Sequence, residues 1–408
     1  MTKQQFTQVV ALTGIICAAH SQAADATSVE DRLNQLEKTV QSLQEENQAL
    51  KTQMGWDGKS AITYVKPGGK ESKLNLSGFI HAQGEFGDTP DARFNGIEDR
   101  IFIRRARVAV SGSFAEHFDF KLETDLSGNS ISEKSGISPQ LTDGFINWSQ
   151  YSFANVKVGQ FKLPFGYEQL ASDTKIPTIE RSLSNDRLTD GRQIGLGVAG
   201  DFLEKRVGYS VGLFNGTGVN TSANDNESFL YAGRVYGVPF AGKIGKQAAR
   251  WAVGLDGLIT KDSGVSKSGF GFDSTPATAA KDNLFRGDRN AIGVDTQFSW
   301  GRFGFEAEYL RAHFEPNNNI PDSSFDSQGW YAFGTFDILP KKLQAVFKYE
   351  SFDPDTSTDG DTSETYTLGL TYFIKGDDLK VMVNYLLGNP AGEEDHQGRL
   401  LTRFQLMF

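Results

Sequence analysis

Three arginines, Arg104, Arg105 and Arg107, crowd into four positions of IFIRRARVAVSG (Ile101–Gly112), a stretch whose other residues suit a β-strand. A guanidinium is a rigid fork of donors that matches phosphate, carboxylate and related oxyanions. It is expensive to bury without a partner, so three together demand anions, carboxylates or a wet face. Other stretches resemble chemistry less closely. GYSVG (Gly208–Gly212) matches a nucleophile elbow, which needs a sharp strand-to-helix turn. Here Val207, Tyr209, Val211 and Leu213 alternate straight through Ser210. GLGVAG (Gly195–Gly200) matches a dinucleotide fingerprint, but DFLEKR leads into another strand rather than a helix. His81, His117, His313 and His396 lack a metal-like spacing to one another or to a cysteine. In DPDTSTDGDTSE, the residues Asp353, Asp355, Ser357, Asp359, Asp361 and Glu364 fall on the ligand positions of a calcium loop, although Thr358 replaces its glycine. That leaves a divalent-cation candidate on Asp353, Asp355, Asp359 and Glu364, with a solvated acidic loop as the alternative. No catalytic residue and no cofactor are expected.

The elements that position these groups follow from alternation. From Leu74 onward the chain consists of short segments of period two. RFGFEAEYL puts Phe303, Phe305, Ala307 and Tyr309 on one face and Gly304, Glu306 and Glu308 on the other. Roughly sixteen such segments reach the terminus, where Leu400, Thr402, Phe404, Leu406 and Phe408 share a face. The connections alternate short (SFAEH, FLEK, SWGR, ILPK, IKGDD) with long (Gly87 to Asp99, Lys162 to Gly191, Lys261 to Arg289, Asp353 to Thr362). Short turns on one side and long loops on the other mark an outer-membrane barrel, and a soluble sandwich has no cause for that rhythm. Aromatics at 12% and 44 glycines suit it. The fold class is therefore all-β, a sixteen-stranded antiparallel transmembrane barrel with a short N-terminal coiled-coil helix. In such a barrel Arg105, Arg107, Ala109 and Ser111 face the lumen, while Ala106, Val108 and Val110 face lipid. Arg104 has the wrong parity, which places it at the strand's outer end, at a bulge or against a neighbouring subunit.

The N-terminal part is different. VVALTGIICAA (Val9–Ala19) is too short to span a bilayer as a helix. Lying between Lys3 and the small-x-small site at Ser21–Ala23, it is a secretory leader covering residues 1–23. The only cysteine, Cys17, leaves with it. Residues 24–54 carry a heptad seam, with Leu33, Val40, Asn47 and Met54 at a and Val29, Leu36, Leu43 and Leu50 at d. Arg32–Glu37 and Glu46–Lys51 suit parallel self-association. Gly-rich residues 55–73 are a linker, and 74–408 are the barrel. A net charge of −10 argues against nucleic acid as a partner.

The barrel resembles the phosphate-selective porin O/P family from about Leu74 to Phe408. LSGFIHAQGEF, FIRRARVAVSG, FDFKLETDLSG, VKVGQFKLPFG, IERSL and the terminal RFQLMF carry the resemblance. It implies a homotrimer in the outer membrane of a Gram-negative bacterium, with outer-membrane lipid around it. It also implies that the third outer loop, Lys162 to Gly191, folds inward. The family's anion constriction maps onto Arg104, Arg105, Arg181 and Asp143. Gln169 stands where the resemblance implies a lysine and Phe79 where it implies an arginine, and the segment 261–289 has no row of arginines. The expectation is a passive channel for small anionic or hydrophilic solutes. Arg105, Arg107 and Arg181, with Lys162 and Lys175, would form a basic wall opposite Asp143 and Glu168. A general-diffusion or organic-acid porin is one alternative. A barrel whose periplasmic coiled coil tethers envelope layers is another.

Overall fold

The computed structural model of the protein describes residues 35, 37–43, 73–114, 116–127, 139–266, 270, 284–317, 324–390 and 395–408. The expected leader 1–23, most of the 24–54 segment and all but the last residue of the expected linker lie outside the described residues, as do the tips of four long connections.

Sixteen antiparallel strands close a barrel in which each strand pairs with its neighbours in sequence and β1 pairs with β16. They run β1 (Lys73–Gly87), β2 (Arg100–Phe114), β3 (Phe118–Asp125), β4 (Gln140–Tyr151), β5 (Ala154–Lys162), β6 (Arg192–Phe202), β7 (Val207–Phe214) and β8 (Leu230–Ile244). The circuit continues with β9 (Gln247–Ser266), β10 (Leu284–Trp300), β11 (Phe303–Pro316), β12 (Phe325–Leu339), β13 (Leu343–Asp353), β14 (Ser363–Lys375), β15 (Leu379–Asn389) and β16 (Gln397–Met407). One end carries tight turns, where Gly245 and Gly301 supply the left-handed φ of 63° and 58° that a side chain resists. The other end carries the long connections. The expected loop 261–289 is shorter than its sequence suggests, because β9 and β10 extend to Ser266 and from Leu284.

Period-two patterning becomes a two-solvent wall. Val158, Leu196, Leu255, Ile259, Ile292, Val294, Leu368 and Leu370 point outward and are exposed, while Asp256, Thr260, Arg289, Asp295 and Lys348 point inward and are buried. Rings gather at both rims, as lipid interfaces favour. Phe114–Phe118 (5.6 Å), Tyr151–Phe153 (5.3 Å) and Phe303–Phe336 (4.8 Å) lie at the turn end. Trp330–Tyr349 (5.1 Å) and Tyr349–Tyr366 (4.9 Å) lie towards the loop end. No helix among the described residues is long and apolar enough to cross a membrane. Phe408 closes the seam by exchanging backbone hydrogen bonds with Gly78 at 2.9 and 3.0 Å. Both GLGVAG and GYSVG lie inside continuous strands, β6 and β7.

Arg104 sits at a bulge. The β1–β2 ladder pairs His81 with Arg105 and Ala82 with Ile103, so Arg104 is the extra residue. Above it Ile101 (80% exposed) and Ile103 (44%) point outward; below it Arg105, Arg107 and Ala109 point inward and are buried. One inserted residue inverts the parity of alternation. Two adjacent arginines thereby face the same lumen.

The connection 163–191 enters that lumen. Its start packs through Leu163 and Phe165 against Phe214, Leu230, Leu258, Leu310 and Phe314 of the wall. It then forms two short helices, Tyr167–Leu170 and Leu183–Leu188, the second capped by the Ser182 side chain accepting from Asn185 N–H. Gly166 N–H donates to Asp256 (3.1 Å) and Tyr167 N–H to Glu308 (2.5 Å) on one side. On the far side Ile179 N–H donates to Asn384 (2.6 Å), and Lys380 Nζ donates to the Thr174 carbonyl (2.8 Å). A buried backbone needs such partners, and the wall supplies them from both sides.

Candidate functional site

The bulge and the inward loop together build one cavity. It is lined by Arg104, Arg105 and Arg107 of β2, Lys162 of β5, Arg192 of β6, Arg93 of the first outer loop, and Asp173, Glu180 and Arg181 of the inward loop. Of the expected basic wall, four groups meet here, Arg105, Arg107, Lys162 and Arg181, and Arg104 of the resemblance-implied constriction joins them. Lys175 does not line the cavity and its side chain is exposed. Lys162 is part of the wall but is already engaged, donating to the carbonyls of Gln169 (2.7 Å), Leu170 (3.3 Å) and Ala171 (2.8 Å) at the end of the first short helix.

The carboxylates opposite the arginines differ from those expected. Asp143 is held on β4 by Lys121 (2.7 Å) and Arg192 (2.6 Å). Glu168 turns away, accepting from Ser182 N–H (2.8 Å) and Ser182 Oγ–H (2.6 Å). Asp173 and Glu180 take their places. Asp173 meets Arg107 Nη1 (2.6 Å), Arg181 Nη1 (2.6 Å) and, more distantly, Arg105 Nη2 (3.6 Å). Glu180 accepts from Arg104 Nε (3.0 Å) and Nη2 (3.2 Å) and from Arg403 Nη2 of β16 (2.7 Å). Burial opposes the ionisation of Asp173, but Arg105, Arg181 and Arg107 outweigh it and hold the carboxyl well below its usual range. Glu180 is likewise held low, against burial, by Arg104, Arg403 and Arg105. Depressed folded-state values mean that this pairing stabilises the loop fully above the unfolded value of about 4 and is lost only well below it.

Arg105 is the least satisfied guanidinium of this cluster among the described residues, with two unpartnered nitrogens against one on Arg403. It is 4% exposed, and its Nε and Nη1 have no hydrogen-bond partner. Its one ion-pair contact, at 3.6 Å, is beyond hydrogen-bonding length. Buried donors left without a partner are rare and costly, and these belong to a residue that lines the cavity. Sequence reasoning missed Asp173, Glu180, Arg403 and Arg93. Glu180, beside Arg181 in IERSL, and Arg403, the first residue of RFQLMF, lie within motifs that carry the resemblance.

The divalent-cation reading of the 353–364 loop is corrected. Among the described residues no three His, Cys, Asp or Glu side chains are grouped to hold a metal ion. Asp355 Oδ1 instead accepts from Ser357 N–H (3.0 Å) and Ser357 Oγ–H (2.7 Å), Asp359 is exposed, and Glu364 sits on β14 accepting from the Tyr349 hydroxyl (2.8 Å). The turn uses its own carboxylates, as short Asx-type turns do. Asp353 stays on β13.

A sixteen-stranded barrel with an apolar outer wall, aromatic rims and a charged lumen narrowed by an inward loop defines an outer-membrane porin. The model of the family described as "Phosphate-selective porin O and P" matches residues 78–408, and the chain belongs to that family. Porin O of Pseudomonas aeruginosa is 22% identical, over 86% of this chain and 93% of its own length. Among solved structures, OmpT of Vibrio cholerae in its trimer form superimposes with a TM-score of 0.54 at 13% identity, covering 83% of this chain and 100% of that one. The outer membrane channel DcaP of Acinetobacter baumannii gives 0.53 at 12% identity, covering 85% and 99%.

Proposed function

We propose that this porin passes small hydrophilic solutes with a preference for anions, selected at the arginine constriction between β2 and the inward loop. The observation that carries the reading is Arg105, a buried guanidinium that lines the cavity and keeps two donors without a hydrogen-bond partner. The family's description and the name-level kinship with a phosphate-selective group point the same way. Guanidinium forks suit phosphate and carboxylate alike, so the reading is of an anion class. The test is the reversal potential of single channels in asymmetric potassium chloride. An anion-preferring potential is expected, moving several-fold in permeability ratio towards cations in Arg105→Ala/Arg181→Ala. A cation-preferring wild type, unchanged by the double substitution, refutes it. General diffusion is the second reading, favoured by the two loop carboxylates that already neutralise part of the cluster. Phosphate block of chloride current separates the two.

The assembly belongs to the same proposal. The matched Vibrio protein is described in a trimer form, and here Val40 and Leu43, at a and d of the heptads, lie on helical residues 37–43 with both side chains exposed in the single chain. The proposal is of a homotrimer, with residues 24–54 as a periplasmic parallel coiled coil. In mild detergent the protein should run as a heat-labile trimer, and removal of residues 24–54 should lower the temperature at which it dissociates without changing conductance. A monomer in both forms counts against it.

A further inference from the structure

The arginine cluster is not empty. Asp173 and Glu180 sit seven residues apart on the same loop, and between them they meet Arg104, Arg105, Arg107, Arg181 and Arg403. Each carboxylate is presented as a free oxyanion would be, to two or more guanidinium groups. Both belong to the connection between β5 and β6, whereas four of the five arginines belong to strands β2 and β16, and the fifth, Arg181, follows Glu180 on the loop itself. The loop backbone is held elsewhere by Asp256, Glu308 and Asn384, so these two side chains are not its sole anchors. Their pairing is also uneven. Glu180 makes hydrogen bonds of 2.7 to 3.2 Å, whereas Asp173 reaches Arg105 only at 3.6 Å and leaves its Nε and Nη1 open. Asp173 therefore sits beside the guanidinium with two unpartnered donors, whereas Glu180 holds Arg403, which has one.

We propose that Asp173 and Glu180 set the selectivity of this pore as tethered competitors: each occupies the arginine cluster as a permeant anion would, so that anions pass by brief exchange at Arg105 beside Asp173 and are not retained. Arg105 supplies the exchange point, because its two unpartnered donors, shut off from solvent while Asp173 is in place, can bond an oxyanion as Asp173 yields. Arg107 and Arg181 then share that anion as Asp173 swings aside. The tether keeps the effective concentration of the competing carboxylate high, which lowers the residence time of any free anion. This rests on the anion reading above and adds the reason why affinity would be low.

Asp173→Asn and Glu180→Gln, each keeping shape while removing charge, are compared with wild type for half-blocking phosphate concentration and for the chloride-to-potassium permeability ratio. Asp173→Asn is expected to lower the half-blocking concentration about tenfold or more, as loss of one competing charge-assisted pair allows, and to raise the permeability ratio. Glu180→Gln, acting through Arg104 and Arg403, should do so less. Asp173→Glu restores the charge and should return both readouts towards wild type. Unchanged block and ratio in Asp173→Asn, or equal gains in Asp173→Asn and Asp173→Glu, overturn the proposal, the second because it would make packing rather than charge the cause. If Asp173→Asn does not assemble, Glu180→Gln decides alone, its lack of any gain counting against. A wild type without anion preference would instead overturn the anion reading itself.

Discussion

Glu350→Ala is expected to raise single-channel conductance and current noise while the barrel stays folded. Glu350 on β13 is where two inward loops meet the wall. Its Oε1 accepts from Arg93 Nη2 of the first outer loop (2.8 Å) and from Leu183 N–H of the inward loop (3.1 Å), and its Oε2 pairs with Lys348 (2.6 Å). Arg93 also donates to the Arg181 carbonyl, so the first loop braces the second at the residue that lines the cavity. Removing one partner of a buried ion pair costs about 3–5 kcal/mol, because the other charge is left uncompensated. Here Arg93 and Lys348, buried to 4% and 1% side-chain exposure, would keep only Asp91 (2.6 Å) and Glu168 (3.6 Å). A closed ring of sixteen paired strands does not yield first. The loops are the elements with the lower opening free energy, so the cost appears as loop release. Planar-bilayer recording and limited proteolysis of residues 163–191 read it directly. Glu350→Gln, which can still accept from Leu183 N–H, should fall between the two. Conductance and protease resistance equal to wild type in Glu350→Ala would show that the loops are held without this carboxylate.

The parts of this structure legible in sequence are those governed by local period. Alternation in segments such as RFGFEAEYL needs only the two-residue repeat of a strand, and β11 carries Phe303 and Phe305 outward as that repeat requires. Connection lengths gave the position of the inward loop for the same reason. What stayed hidden depends on partners distant in sequence. Arg104 could not be placed by counting, since a bulge is a property of two strands and only the pairing of Ala82 with Ile103 defines it. Asp173 and Glu180 carry no periodic mark, because they belong to a loop whose partners lie on β2 and β16. The resemblance places Asp143 with the β2 arginines, yet Lys121 of the adjacent β3 and Arg192 of β6 claim it first. Lys162 illustrates a further limit. Its place in the basic wall was an expectation of the sequence, whereas its use on three carbonyls required the fold of residues 169–171.

The bulge makes an uneven prediction for deletions in β2. Removing Arg104 or Arg105 yields one and the same chain, IFIRARVAVSG, and the barrel should tolerate it. Ile103 already stands opposite Ala82 and Arg105 opposite His81, so losing the extra residue leaves a regular ladder with every other side chain on its present face. Glu180 would keep Arg403 as a partner. Removing Val108 is different. Residues below the gap are fixed by the tight turn to β3, so Arg107 and Arg105 would slide into the outward positions now held by Val108 and Ala106. Relaxing the bulge could restore residues 100–103 but not these two. Each arginine facing lipid at mid-depth costs about 2–4 kcal/mol, and Asp125, now 2.9 Å from Arg107 Nε, would be buried without its main partner. The heat-modifiable shift of folded barrel on a gel should therefore appear at near wild-type yield after loss of one arginine, with a modestly lower urea midpoint. It should be absent after loss of Val108. Equal failure of both deletions would mean that Arg104 is an integral ladder residue and that the adjacent arginines reach the lumen by some other distortion of the strand.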